Sequence, residues 1–432
     1  MFLRKCRLAA ASLGWFVAAT VLAQHEGHPS SLSSSGDETD ASDRNLFQSD
    51  MERMTGMTPD DPMDGMKMAG WHWMDLGVAR LEFNGQGGPS GRKGVDSTNW
   101  GMLHAQHDLG PGLLSLMMMN SLETVTFPQG GAQELFQTGE TYNGKPIVDR
   151  QHPHDFFMNL SATYRQQVAE RSAFWIQLAP VGEPALGPTA YMHRASSGEN
   201  PTAPLGHHWE DSTHIAADVI TAGYGLGAVS LEGSVFHGAE PDENRWNIES
   251  GKLDSASGRL WLRLGGGWSG QVSYGFLKNP EAAEPGDVRR TTASIGYGED
   301  GDRPIAAMLL WGRNADGPVS SFAWLLEGAW QMTSRGQVYT RMEYVQKDYN
   351  LLAFKSEPHP PDPGQPLFAN VFAFTAGYLR DFEVVKGLKT GLAGDITVYS
   401  FPSSLKGVYG DFPLSGHFFL RLRWGTTHMG SH

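Results

Sequence analysis

The stretch His417-Phe418-Phe419-Leu420-Arg421-Leu422-Arg423-Trp424 decides the fold of this chain. Successive side chains of a β-strand point to opposite faces. One face of this stretch is apolar, and it carries Phe418, Leu420, Leu422 and Trp424. The other face carries His417, Arg421 and Arg423, and only Phe419 breaks the alternation. In a soluble sandwich the apolar face would pack in a core, whereas in an outer-membrane barrel it would contact lipid and the arginines would line a wet lumen.

The beginning of the chain favours the second interpretation, because it indicates export. Residues 1–23 have the pattern of a secretory signal peptide, with basic residues, an uncharged apolar run and small residues before Gln24. The single cysteine, Cys6, lies inside this segment. We therefore expect a mature chain without a disulfide or a cysteine metal site.

The composition limits the classes of partner. The formal net charge is -14, and loss of the 3 basic residues of the signal peptide takes it to -17 (-14 - 3). An acidic chain lacks the clustered positive charge of nucleic-acid-binding proteins, so we expect no nucleic acid as a partner. The expected partners are outer-membrane lipid and a metal ion or small solute, and the sequence leaves open whether barrels associate into homo-oligomers.

Short alternating segments fill the chain from Trp71 onward and predict an all-β fold, a transmembrane antiparallel β-barrel of about 16 strands, within a range of about 14–18. The predicted barrel covers 71–424, and 425–432 is predicted to be a C-terminal extension. The candidate strands are 71–83, 98–107, 112–122, 155–166, 172–180, 213–224, 226–237, 257–266, 268–277, 288–298, 303–313, 319–331, 336–346, 369–382, 387–400 and 415–424.

The lengths of the connections support the barrel, because long and short ones mostly alternate. The long connections are 123–154, 181–212, 238–256, 347–368 and 401–414. Bacterial barrels have long extracellular loops and short periplasmic turns. The sorting therefore predicts an outer-membrane location with both chain termini in the periplasm.

Charged side chains on the alternating strands indicate which face lines the lumen. An Arg on the lipid face near the midplane would cost about 2–4 kcal/mol. We therefore assign to the lumen the charged residues Arg259, Arg263, Arg341, Glu343, Arg421 and Arg423. Aromatic residues near strand ends, among them Trp100, Tyr399 and Trp424, are predicted to lie in the interfacial girdles.

Histidines concentrate at the ends of two long loops. The candidate metal ligands there are His152, His154, His208, Asp211 and His214, which we expect at the extracellular mouth of the barrel. Imidazole with carboxylate suits Zn²⁺, Cu²⁺ or Ni²⁺. A network of hydrogen bonds that anchors the loops would use the same residue types. Catalysis by Ser212 with His214 and Asp211, or by Ser161 with His154, is a third interpretation.

Residues 24–70 differ from the rest of the chain and are predicted to form a disordered periplasmic tail. The tail concentrates methionines at Met51, Met54, Met57, Met63, Met66 and Met68. Thioethers are soft ligands that select Cu(I), so the pattern predicts copper as the bound ion. A short amphipathic anchor or a chance enrichment would explain the methionines without a metal.

A signal peptide, a Met- and His-containing segment and then a barrel together resemble the organisation of the copper-resistance B proteins of Gram-negative bacteria. The resemblance implies an outer-membrane location, copper binding and a role in copper tolerance. The barrel segments 149–155 and 182–188 look like those of uncharacterised bacterial outer-membrane proteins.

The preferred function at this point is handling of a soft or borderline metal ion, with copper as the preferred ion and its binding, resistance or efflux as the role. We expect no enzymatic activity. The first alternative is a small-solute porin with no metal role, since a barrel of about 16 strands leaves an aqueous channel. The second alternative is an outer-membrane hydrolase.

The methionine tail gives a direct prediction. A peptide covering residues 50–75 is expected to bind Cu(I) with micromolar or tighter affinity, because its thioethers are closely spaced on a chain that can wrap around one ion. Replacement of its methionines by leucine is expected to abolish binding in a competition titration. Binding that survives the replacements would remove the thioether argument.

Overall fold

The computed structural model describes residues 70–284, 286–355, 366–385 and 388–429. Sixteen antiparallel strands form a closed barrel, which confirms the predicted fold class. Closure comes from pairing of the first strand with the last, in a register that places Arg80 opposite Arg421 and His72 opposite Met429. The predicted signal peptide and methionine tail lie outside the described residues.

The barrel strands follow one another around the wall in chain order. They are β1 (His72–Gln86), β3 (Asn99–Leu109), β4 (Gly112–Asn120), β7 (Phe157–Ala169), β8 (Ser172–Gly182), β9 (Ala216–Leu226), β10 (Val229–His237), β11 (Ser255–Gly265), β12 (Trp268–Leu277), β13 (Val288–Glu299), β14 (Ile305–Asp316), β15 (Val319–Thr333), β16 (Gly336–Asp348), β17 (Phe368–Val385), β18 (Leu388–Ser400) and β19 (Leu414–Met429).

The remaining elements are short and lie in the connections. The strand β2 (Lys93–Asp96) pairs with β1, and β5 (Ala132–Tyr142) with β6 (Lys145–Gln151) forms a separate hairpin. The α-helices are α1 (Glu123–Thr126), α2 (His207–Glu210), α3 (Tyr349–Phe354) and α4 (Lys406–Tyr409), and single 3₁₀ turns cover Tyr191–His193, Ser212–Ile215 and Ser403–Leu405. None of the helices in the described ranges is both long and apolar enough to cross a membrane.

Each predicted strand segment coincides with one barrel strand, but the boundaries differ. The clearest difference is at the end of the chain, where β19 continues to Met429, so that the start of the predicted extension 425–432 belongs to the barrel wall. The sequence analysis did not predict β2 or the hairpin β5–β6, because neither has a lipid-facing side that would impose strict alternation.

The connections sort to the two ends of the barrel as predicted. Short turns such as 110–111 and 170–171 lie at one end, here called the short-turn end. The connections 121–156, 183–215 and 238–254 lie at the other, here called the long-loop end. One connection at the long-loop end, 317–318, is itself short.

The two faces of the wall differ in polarity as the alternation predicts. On the outside, Leu231, Ile396 and Phe418 expose 62%, 57% and 57% of their surface. On the inside, Arg341 and Arg421 are buried. This pattern belongs to a barrel with an apolar exterior that lipid can solvate and a polar interior.

Three aromatic residues differ from their predicted place in the girdles. Trp100 and Tyr399 face the interior, where Trp100 lies edge-on to His193 at 4.9 Å and Tyr399 contacts Phe136 at 5.1 Å between ring centroids. Trp424 is on the outer face, but it is buried because its ring lies over Gly77. A Cβ at Gly77 would lie 2.2 Å from that ring, so a glycine is required there.

The facing of β15 can be tested with an arginine at Leu326, which is exposed on the outer wall near the middle of the strand. Leu326→Arg is expected to destabilise the barrel by about 2–4 kcal/mol, because hydrocarbon cannot solvate the guanidinium. Unfolding by denaturant in lipid vesicles measures this cost. The matched control is Leu253→Arg, at an exposed leucine outside the strands, and an equal effect of the two changes would contradict the assigned facing.

Candidate functional site

The interior of the barrel is occupied by the connection 183–215, here called the plug. Its first residues are held by the walls of β10, β11 and β12. The backbone N–H of Ala185 donates to Ser234 Oγ at 2.8 Å, and that of Gly187 donates to Ser273 Oγ at 2.8 Å. The carbonyl of Gly187 accepts from Arg259 Nη1 at 2.8 Å. The plug therefore enters the lumen directly after β8.

Arg194 fixes the middle of the plug to β15. Its Nε donates to Glu327 Oε1 at 2.7 Å, and its Nη1 donates to Asp211 Oδ2 at 2.5 Å. Burial would lower the pKa of Arg194, but Glu327 and Asp211 outweigh burial and raise it. Burial would likewise raise the pKa of Asp211, and Arg194 with His207 lowers it. Arg194 and Asp211 are therefore both charged at neutral pH.

Glu199 attaches the next part of the plug to β19. Arg421 Nη1 donates to both oxygens of Glu199 at 2.6 Å, and Arg423 Nη2 donates to Oε1 at 2.5 Å. Burial alone would raise the pKa of Glu199, but Arg421 and Arg423 outweigh burial and lower it to about 2. The neighbouring carbonyl of Gly198 accepts from Arg80 Nη2 at 2.5 Å.

The hairpin β5–β6 fills the lumen on the side of β16. Lys347 Nζ donates to Gln137 Oε1 at 3.1 Å and to Thr138 Oγ1 at 3.3 Å. Phe136 is fully buried, and its ring stacks on Tyr409 with 4.1 Å between centroids. The prediction that the two longest loops partly close the barrel therefore agrees with the positions of the hairpin and the plug.

Histidines from the two inserted loops line a cavity of about 20 Å³, which is large enough for a water molecule. The lining includes His152, His154, His207 and His214. The ring centroid of His214 lies 5.4 Å from that of His154 and 5.2 Å from that of His207. Glu240 reaches the same cavity from the connection 238–254.

The Nδ1 atoms of three of these histidines have fixed partners. The partner of His154 Nδ1 is Glu123 Oε2 at 2.7 Å, that of His207 is Asp211 Oδ1 at 2.6 Å, and that of His214 is the carbonyl of Asp211 at 2.9 Å. An acceptor at Nδ1 leaves the lone pair of a neutral ring on Nε2. Histidines held in this way by carboxylates or carbonyls are the usual arrangement around protein-bound metals.

Burial controls the protonation of the cavity histidines. It lowers the pKa of His152 well below its usual value, and the positive charge of Arg245 acts in the same direction. The pKa of His214 is also lowered well below its usual value, first by burial and then by His207 and His154. Burial would lower the pKa of His154 too, but Glu123 outweighs it and raises the pKa. His152 and His214 are thus neutral at neutral pH.

Methionines form the wall of the lumen between the plug and the strands β1 to β7. Met102, Met117 and Met119 are buried there, and they pack with Met158 and with Met192 of the plug. Their neighbour Met118 is on the outer face and exposes 38% of its surface. The luminal methionines therefore pack against the plug, where a flexible thioether fills irregular gaps.

The predicted histidine ligands come together in the connections of the long-loop end, where they are enclosed rather than open to solvent. His152, His154, His208 and His214 are enclosed between the plug and the wall, with His152 5.8 Å from His208 between ring centroids. The loops bend inward because their polar groups are satisfied by luminal side chains. Both oxygens of Asp211 are engaged by Arg194 and His207, so its position suits orienting His207 more than direct ligation.

The predicted lumen residues also occupy the interior. Arg259, Arg341, Glu343 and Arg421 are buried against the plug. Arg263 lies at the short-turn end instead, where its Nη2 donates to the carbonyl of Gly227 at 2.8 Å.

The sequence analysis did not select several residues of this site. Arg245 contacts Glu140 and holds Asp155 at 3.1 Å, and Glu281 lies 3.2 Å from His208. His207 was visible beside His208 in the sequence, but its contact with Asp211 was not. These residues lie in connections without periodicity, so only the proximity of Glu240 to the end of β10 gave a signal in the sequence.

The docking of the plug can be tested at Glu199. Glu199→Gln is expected to lower the free energy of opening of the plug by about 3–5 kcal/mol, because it leaves Arg421 buried with less compensation. Hydrogen exchange of the plug amides measures this. The pKa of Glu199 is lowered from 4.5 to about 2, so its contribution is complete above pH 4.5 and is lost as the pH falls toward 2, where the difference from the variant should shrink.

The matched control is Asp411→Asn, which breaks the exposed pair of Lys406 and Asp411 at 3.1 Å. Exposed pairs contribute at most about 1 kcal/mol. Equal exchange rates of the plug amides in both variants would contradict the role of Glu199.

No protein-family model and no curated protein sequence matches the chain. Solved structures do match its fold. One is OprB of Pseudomonas putida, with 10% identity, a TM-score of 0.52, and coverage of 83% of this chain and 94% of that one. Another is an anion-selective porin from Comamonas acidovorans, with 12% identity, a TM-score of 0.49, and coverage of 82% and 100%. At these identities the likeness concerns the fold alone, which is that of an outer-membrane β-barrel.

Proposed function

We propose that the chain is an outer-membrane channel for small polar solutes, with a lumen narrowed by the plug. The observation that carries this proposal is the charged wall that surrounds the plug. Side chains from β1, β11, β15, β16 and β19 face inward, and they are Arg80, Arg259, Glu327, Arg341 and Arg421. A wall of this kind solvates polar solutes, whereas a barrel that served only as an anchor could be filled by apolar side chains.

The way in which the plug is attached supports the same proposal. Between Arg194 and Glu199 the plug is held by ion pairs and hydrogen bonds to β15, β16 and β19. Ion pairs of this kind can be exchanged for contacts with water when a segment moves, since water solvates charges well. Apolar contacts hold other parts of the plug, since Met192 packs against the methionine wall and Leu205 lies in a cluster with Ala323 of β15 and Val345 of β16. The ion-paired segment between Arg194 and Glu199 is therefore where a passage would open.

A second candidate function is handling of a soft metal ion such as copper, which the methionine tail predicts. The feature that favours it in the described residues is the methionine wall, which shares a cluster with Tyr191. The ring of Tyr191 contacts His154 and His207 of the cavity. Thioethers and imidazoles together would suit an ion that changes between Cu(I) and Cu(II). Packing of the plug accounts for the same methionines without an ion, so the solute channel is preferred.

The arrangement gives little support to a hydrolase. Ser212 Oγ donates to Glu240 Oε1 at 2.8 Å and accepts from Arg290 Nη1 at 2.8 Å. Ser161 Oγ donates to Asn159 Oδ1 at 2.7 Å. Neither hydroxyl is hydrogen-bonded to an imidazole that would act as its base.

Conductance across a planar bilayer tests the proposed function. The full-length protein is expected to give small current steps that do not depend on copper, because the plug narrows the lumen but does not select for a metal. Glu199→Gln is expected to increase the current, since it loosens the plug on its ion-paired side. Asp411→Asn serves as the control and should leave the current unchanged.

Two outcomes would overturn the proposal. Absence of current from both the wild-type protein and Glu199→Gln would exclude a channel. A flux that requires copper, and that is lost on removal of residues 24–70, would favour the metal function instead.

A further inference from the structure

Three side chains from three separate connections meet beside the plug at the long-loop end. His208 is in α2 of the plug, Glu240 is in the connection after β10, and Glu281 is in the connection after β12. His208 Nδ1 lies 3.5 Å from Glu240 Oε2 and 3.2 Å from Glu281 Oε1. Each of the three residues offers one ligand atom that lies within 4.8 Å of those of the other two. Within the described ranges, this is the group of three His, Cys, Asp or Glu residues whose ligand atoms lie close enough together to share one metal ion.

The geometry around His208 differs from that of a hydrogen-bonded ion pair. Its side chain is buried, and its Nδ1 makes no hydrogen bond of acceptable geometry with either carboxylate. Ligand atoms bound at about 2.0–2.1 Å around a tetrahedral ion are about 3.4 Å apart. The ion lies along the lone pair of the imidazole nitrogen, so the carboxylate oxygens lie to the side of that direction. The two observed separations match that arrangement, so a shared cation accounts for both carboxylates at once.

Neighbouring groups orient Glu240 for this role. Ser212 Oγ donates to its Oε1 at 2.8 Å, which leaves Oε2 as the atom nearest to His208. Arg290 Nη1 in turn donates to Ser212 Oγ at 2.8 Å. Outer partners of this type fix the orientation of metal ligands and raise affinity. One neutral imidazole and two carboxylates also balance the charge of a divalent cation.

We propose that His208, Glu240 and Glu281 bind a borderline divalent cation of the Zn²⁺ type. An imidazole in the ligand set favours such ions over Ca²⁺ and Mg²⁺, which prefer oxygen ligands alone. The lack of a thioether or thiolate in the set disfavours Cu(I). Three protein ligands leave a fourth position for water.

The bound ion ties the plug to two other connections of the long-loop end. His208 belongs to the plug, whereas Glu240 and Glu281 belong to connections that are anchored in β10, β11, β12 and β13. An ion that binds the folded chain, and not the unfolded one, stabilises the folded chain. This inference concerns binding and stability, so it does not depend on passage of solutes through the lumen.

Calorimetric titration of Zn²⁺ into the purified full-length protein in detergent, after removal of metals with EDTA, tests the site. The wild-type protein is expected to bind one more equivalent of Zn²⁺, with micromolar or tighter affinity, than the double variant His208→Asn/Glu281→Gln. Glu281→Gln alone is expected to weaken this equivalent at least about 10-fold. Ligands in the tail are common to all the proteins, so they cancel in the comparison.

A thermal melt gives a second measurement that does not rely on counting equivalents. Zn²⁺ is expected to raise the Tm of the wild-type protein more than that of Glu281→Gln, whose site is weaker, and Mg²⁺ is expected to raise neither. The matched control is His237→Gln, since His237 Nδ1 lies 3.8 Å from a single carboxylate, Asp254, and 3.1 Å from the carbonyl oxygen of Lys252. This control should bind Zn²⁺ as the wild-type protein does.

The inference is overturned if the wild-type protein and Glu281→Gln bind the same number of equivalents with the same affinity. It is also overturned if Zn²⁺ leaves the Tm of the wild-type protein unchanged. In that case a protonated His208, without a metal ion, holds the two carboxylates together. Circular dichroism of each variant shows whether it is a folded barrel. Should the double variant fail to fold, Glu281→Gln decides the outcome, since it keeps the size and shape of the side chain.

Discussion

The fold depends on the requirement that every backbone N–H and C=O group facing hydrocarbon be paired within the wall. A sheet meets this requirement only when its edges join, and here the pairing of β1 with β19 joins them. Once the wall is closed, each strand has one face in lipid and one face inside. Charged side chains are then confined to the interior, which explains why Arg341 and Arg421 are among the most deeply buried residues.

Confinement of charge creates a second requirement, because a buried guanidinium without compensation is costly. The plug supplies the compensation. Glu199 lies between Arg421 and Arg423, and Arg194 lies between Glu327 and Asp211. Where burial outweighs the nearest cation, the pKa of a carboxyl rises instead. Burial, reinforced by Asp211, outweighs Arg194 and raises the pKa of Glu210 well above its usual value. Charged groups of the plug therefore compensate charged groups of the wall through specific ion pairs.

The wall could be predicted from the sequence, whereas the docking of the plug could not. The sixteen strands follow from alternation, because lipid on one side imposes the same rule on every residue of a segment. The contacts of the plug obey no such rule. Arg194 and Glu327 are 133 residues apart, and Arg421 and Glu199 are 222 apart. Each pair depends on the path of a loop whose sequence has no periodicity. The sequence around one partner therefore does not predict which residue the other partner is.

The candidate site shows the same division. Clustering of His152, His154, His208 and His214 could be anticipated, because they lie at the ends of two long loops on neighbouring strands. Glu281 could not, since its connection carries no histidine that would draw attention to it. Trp100 and Tyr399 illustrate the converse error. Their position near strand ends is typical of girdle residues, but parity along the strand places them inside, where His193 and Phe136 of the inserted loops cover them.

The position of the histidines within the plug has a physical consequence for the whole lumen. His207 and His208 are adjacent in α2, yet they have different partners, since His207 is held by Asp211 of the plug and His208 approaches Glu240 and Glu281 of other connections. The contact of His207 with Asp211 holds two parts of the plug together. The contacts of His208 join the plug to the connections after β10 and β12. A change at the second set of contacts can therefore alter how firmly the plug is docked without unfolding it, because the network of Arg194, Asp211 and His207 stays intact.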